Sequence, residues 1–163
     1  MFENIVSKDG VKFKDLEEII FKIACSIANE MLKNILEDYD KKLMDTRDKQ
    51  RYRHKGLETT TLKTKTGLVE YKRVKYQETK EDGTKKCVYL TDEALGIDNK
   101  VGQVSEGLIE LIIQNISELS YRACAEVINN STGIKITGVA VWNIVQEVGE
   151  KIKEIEAKKV EAH

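Results

Sequence analysis

The sequence predicts an α+β fold, mostly helical: a long amino-terminal helix, a small antiparallel β-sheet and a carboxy-terminal helix-turn-helix-like three-helix unit. Three observations carry that prediction. Apolar residues recur every three or four positions from about Lys14 to Asp45. Runs of β-branched and aromatic residues, punctuated by Thr66-Gly67 and Asp82-Gly83, fill residues 58–90. Helical periodicity then returns after Ser105, behind a series of Ser and Thr caps.

The first element holds Leu16, Ile19, Ile20, Ile23, Ile27, Met31, Leu32, Ile35, Leu36, Tyr39 and Leu43 at helical spacing for roughly eight turns. Such a stripe needs a covering surface, and two are open: the rest of this chain, or a second copy paired as a coiled coil. The second element reads as three strands, ETTTLKT, LVEYKRVKYQET and KKCVYL, with Asp-Gly as a hairpin signal. In the middle strand Val69, Tyr71 and Arg73 share one face, and Leu68, Glu70, Lys72, Val74 and Tyr76 the other. A loop, TDEALGIDNKVGQ, follows. Ser105, Ser120 and Thr137 then cap three helices, the second ending at the turn Asn130-Ser-Thr-Gly133. The last helix trails into the charged tail KIKEIEAKKVEAH. The expected organisation is therefore residues 1–57 as long helix and basic connector, 58–98 as sheet, and 99–163 as helical unit and tail.

Composition narrows the class. The chain has 163 residues, with 40% hydrophobic and 34% charged, which suits a globular domain. No run approaches the apolar length of a membrane span, and the amino terminus lacks the pattern of a secretory signal. Three cysteines, Cys25, Cys87 and Cys124, show no CxxC spacing, so a reducing, cytoplasmic setting is expected. With only two histidines, no metal site and no cofactor are expected. The Asp92-Glu93 pair reads as solvated carboxylate, and phosphate-loop, dinucleotide and nucleophile-elbow motifs are missing, so no catalytic residue is assigned.

Charge is unevenly spread. Residues 1–46 hold 7 Lys/Arg against 10 Asp/Glu, residues 47–75 hold 10 against 3, and residues 76–163 hold 10 against 15. A basic stripe between acidic flanks suits phosphate neutralisation; the alternative is a solvated sheet surface protected by its lysines. Arg47, Arg51, Arg53, Lys55, Lys72 and Arg73 are the candidates for phosphate contact. In a helix-turn-helix the second helix props the third, whose first residues enter the major groove. Those residues are Thr137, Gly138, Ala140, Trp142 and Asn143, of which Thr137, Gly138, Ala140 and Asn143 are the candidates for base contact. The competing reading is a plain three-helix bundle with Trp142 in its core.

Several blocks in order resemble one family. TRDKQRYRHKG at 46–56 and TLKTKTGLVEYKRVKY at 61–76 resemble the amino-terminal region of a family of bacterial insertion-sequence transposases, also catalogued as an uncharacterised protein family. YLTDEALGI at 89–97 and SYRACAEVINNSTGIKITGVAVWNIV at 120–145 are similar to its later landmarks. The resemblance implies recognition of double-stranded DNA at element ends by this region. It also implies a downstream ribonuclease-H-like domain using three carboxylates and divalent metal. That domain has no counterpart in this sequence, so the chain is expected to be a non-enzymatic, truncated member, nucleoid-associated if it binds DNA. The other expectations are an interaction module acting through residues 14–45, on a second copy or a full-length relative, and an element remnant without function.

Overall fold

The computed structural model describes residues 12–97 and 103–161. It is an α+β fold whose elements run α1 (Phe13–Thr46), β1 (Tyr52–Thr64), β2 (Gly67–Thr79), β3 (Lys85–Val88), α2 (Leu90–Leu95), α3 (Glu106–Ile116), α4 (Tyr121–Thr132) and α5 (Gly138–Glu161). The strands form one antiparallel sheet in the order β1-β2-β3.

No proline interrupts α1, so its 34 residues run for about 51 Å. It ends where Arg47 turns extended, and the Arg47 side chain donates to the carbonyls of Met44 and Tyr52. A cation at this end satisfies terminal carbonyls and complements the helix dipole.

The sheet is a long hairpin, paired from Tyr52↔Glu78 to Thr64↔Gly67 with a register shift between His54 and Gly56. Its tip requires glycine: Gly67 has φ +130°, and a Cβ there would lie 2.8 Å from Asn29 Nδ2. Asn29 donates to the Thr66 carbonyl at 3.2 Å and accepts from the Thr66 hydroxyl at 2.6 Å, docking the tip on α1. Farther along, the Lys72 N–H donates to Glu37 and the Val74 N–H to Asp40, each at 3.0 Å. β3 pairs only with residues 76–79 of β2, so these carboxylates take over the ladder where β3 stops.

Packing divides into three cores. Leu36, Leu62, Val69, Tyr71 and Ile97 form one; Val74, Tyr76 and Val88, with Met44, Tyr52 and Leu90, form the second. The sheet thus buries the Val69 face near its tip and the Val74 face near its other end. The third core belongs to α3–α5 and meets β1 at a Lys63↔Val104 bridge.

Four expectations need correcting. β1 begins at Tyr52, inside the stretch assigned to a connector, because the basic residues alternate with Tyr52 and His54 in a pattern a strand accepts. The loop after β3 holds the short helix α2, closed by Gly96 at φ 63°; residues 98–102 of that loop lie outside the described residues. The charged tail continues α5 to Glu161. The apolar stripe of α1 is not covered as one face: Leu36 is buried, whereas Ile20, Ile27, Met31 and Ile35 are 57–60% exposed.

Candidate nucleic-acid interface

The three-helix unit is fixed first by its caps. Ser105 accepts from the Leu108 N–H at 3.2 Å, Ser120 from Ala123 at 3.3 Å and Thr137 from Ala140 at 3.2 Å. Leu108, Ile112, Cys124, Ile128, Ile134, Val141 and Ile144 close the core between the helices. Burial pushes the Cys124 thiol above its ordinary range, which makes it a packing group rather than a nucleophile.

The connection from α4 to α5 is short and stapled. Gly133 turns left-handed at φ 70°, Ile134 and Ile136 drop into the core, and Asn129 holds Ile136 at both its backbone groups, at 2.7 and 2.9 Å. The polar turn placed at Asn130–Gly133 is therefore the last turn of α4, and the true connection is residues 133–137.

With Val141 and Ile144 facing inward, α5 presents Val139 (69% exposed), Trp142 (46%) and Gln146 outward, with Asn143 half-buried at their edge. Tyr121, Arg122, Thr137, Gly138, Val139 and Trp142 line a shallow groove beside this face. Trp142 is not a core residue, which removes the plain-bundle reading of it.

The four residues assigned to base contact divide. Thr137 is exposed but caps the helix, and Asn143 borders the open face. Ala140 packs against the core, because it neighbours inward-facing Val141 and Ile144 on the helix surface. Gly138 serves the contact between α4 and α5: a Cβ there would sit 3.2 Å from the Arg122 backbone. Gly138→Val is expected to cost about 1–3 kcal/mol by forcing the two helices apart. Urea unfolding checks this, and an unchanged midpoint would show that the contact is slack. Val139 and Gln146 were missed in the sequence; their signal was the spacing 139, 142, 143, 146, which is one helix face.

The six phosphate candidates divide further. Arg73 is a correction, and so is Asp92, expected to be solvated: Arg73 is buried, ion-paired with Asp92, itself buried, and stacked 3.7 Å from the Tyr89 ring. It faces the same way as Val69 and Tyr71, so its charge points into the fold. Arg47 is spent on the end of α1. Arg51 pairs with Glu78, whose carboxyl it holds below the ordinary range. Arg53 and Lys55 are exposed, and the register places Arg53 opposite Gln77, on the face of β2 that also carries Lys75. Lys72 is exposed on the other face, in a groove with Lys41, His54 and Leu57. The structure thus sets Arg53 and Lys75 on one face, with Lys75 ion-paired to Glu58 at 3.5 Å, and does not gather the stripe as a whole.

Among the described residues, no three His, Cys, Asp or Glu side chains form a metal-binding group, and no helix is long and apolar enough to cross a membrane. The architecture defines an α+β chain with a helix-turn-helix-like unit mounted on one end of a long hairpin. The chain belongs to an uncharacterised protein family (UPF0236), whose model matches residues 6–163. No curated protein matches it.

Proposed function

We propose that the chain binds double-stranded DNA as the recognition region of a transposase-like protein in the cytoplasm, associated with the nucleoid. The observation that carries this is the open face of α5: its first turns project Val139, Trp142, Asn143 and Gln146 past a core that is closed without them. Such a face suits a major groove, with Asn143 and Gln146 hydrogen-bonding to bases and Val139 touching thymine methyl groups. Arg122, whose exposed side chain pairs loosely with exposed Glu126 at 3.6 Å, stands beside it for a phosphate that would displace the carboxylate. The likeness of the 120–145 block to the helix-turn-helix of insertion-sequence transposases supports the same reading.

The hairpin supplies the second contact. Arg53 and Lys63 are ten residues apart on β1, about 33 Å. Lys63 adjoins the helical unit through its bridge to Val104, so Arg53 stands that length of strand away from the joint.

Trp142 is the only tryptophan, so its fluorescence reports on the interface directly. Titration with duplex DNA is expected to change its emission, with an affinity that falls steeply as salt rises. Arg53→Ala with Lys55→Ala is expected to weaken binding equally for all sequences and to reduce the salt slope by about two. Trp142→Phe with Asn143→Ala, followed by a fluorescent label on the DNA, is expected to erase the preference for an element's terminal repeat over a scrambled duplex. No binding by the unaltered chain at low salt would sink the proposal.

A further inference from the structure

Among the described residues, the rest of the fold covers only one face of α1. Asn29, Leu36, Asp40 and Met44 meet the sheet. At 100° per residue, Ile27 lies about 160–180° around the helix from Asn29 and Leu36. On that far side Phe13, Ile20, Ile27, Met31 and Ile35 are 57–74% exposed, and Ile23 is 37% exposed. With Ala24 they repeat about every 3.7 residues, close enough to the helix period to stay in one straight row.

We infer that this row is the seam of an antiparallel homodimer, in which α1 of one chain lies along α1 of a second copy. The inference goes beyond DNA binding and rests on none of the residues proposed for it. The first argument is area. The row exposes on the order of 600 Å² of apolar side chain, as much as the largest patch on an ordinary monomer. Two copies bury up to about 1,200 Å² from these side chains, the threshold of a standard interface. Leu16, Ala24 and the stems of Lys12, Lys41 and Lys42 border the row and add to it.

The second argument is self-complementarity. The row occupies residues 13–35 and gives way on the same face to Asp38, Lys41, Lys42 and Asp45. A two-fold axis between Cys25 and Ser26 sets Ile20 against the partner subunit's Met31, Leu16 against the partner's Ile35 and Ala24 against the partner's Ile27. Small Ala24 at the crossing allows close approach. The axis brings Phe13 level with the partner's Asp38, with Lys12 beside it on the same side of the helix, and the helix dipoles oppose. A parallel pair instead sets each charged group against its own copy. The sheet lies on the far side of α1 from the seam, so it leaves the approach open.

Sedimentation equilibrium at tens of micromolar is expected to give twice the 18.6 kDa chain mass. Ile27→Glu with Met31→Glu alters only exposed positions; it is expected to return the mass to one chain with the far-ultraviolet circular dichroism unchanged. A nitroxide at position 16, in a chain with Cys25→Ser and Cys87→Ser, is expected to give a pair distance of about 30 Å for the antiparallel seam, against about 10 Å for a parallel one. An unaltered chain that stays at one mass overturns the dimer. A double variant that stays dimeric overturns the seam, and a short spin–spin distance overturns its direction.

Discussion

Arg73→Ala is expected to destabilise the fold by about 3–5 kcal/mol, because it leaves Asp92 as an uncompensated buried charge. Asp92 collects three partners: the Arg73 guanidinium, the Tyr71 hydroxyl at 3.1 Å and the Gln103 amide at 2.7 Å. Asp40 reaches the same region through Thr91 and Val74. Losing the arginine therefore disturbs the joint between α1, β2 and α2 as well as one pair. Guanidinium unfolding followed by circular dichroism measures the loss, and a change below about 1 kcal/mol would mean that water reaches Asp92. Arg73→Met with Asp92→Leu is expected to recover most of the stability, since removing both charges together avoids the penalty.

Leu108→Ala is expected to cost about 2–5 kcal/mol, through lost burial and the cavity it leaves. Leu108 is 0% exposed and sits among Ile112, Ile128 and Val141, where α3, α4 and α5 meet. Thermal unfolding read by Trp142 emission is the direct measurement, because that side chain rides on α5. A melting temperature within a degree or two of the parent would show that the site collapses around the smaller side chain. The same variant is expected to bind DNA more weakly at temperatures where α5 loosens, with no charge altered.

How much of this was legible beforehand depends on how local the signal was. The caps at Ser105, Ser120 and Thr137 are decided within four residues, and each forms as read; the helix stop falls at Gly133, the far end of the turn read at Asn130–Gly133. The hairpin turn at Gly67 and the grouping of Val69, Tyr71 and Arg73 on one face were equally local. Function of the arginines was not. A count of cations over residues 47–75 cannot tell Arg53, which faces solvent, from Arg73, which alternation alone places with Tyr71 and therefore inside. The strand pattern contained that answer, but Asp92, the partner that makes burial tolerable, lies 19 positions away. The stripe on α1 shows the same limit. Apolar residues cover so much of the helix circumference that periodicity gave its existence but not which arc meets the sheet. Asn29, Glu37 and Asp40 choose the arc, and they are polar.

Those acidic side chains also settle how the sheet behaves toward other chains. An open β2 edge beyond β3 would offer N–H groups at alternate residues, a template on which a foreign strand could add. Glu37 and Asp40 already occupy the Lys72 and Val74 positions. An incoming strand must first expel two carboxylates that arrive on a rigid helix, and its own carbonyls compete poorly with charged acceptors. α1 thereby acts as a stopper against cross-chain strand addition and fibril growth along this edge.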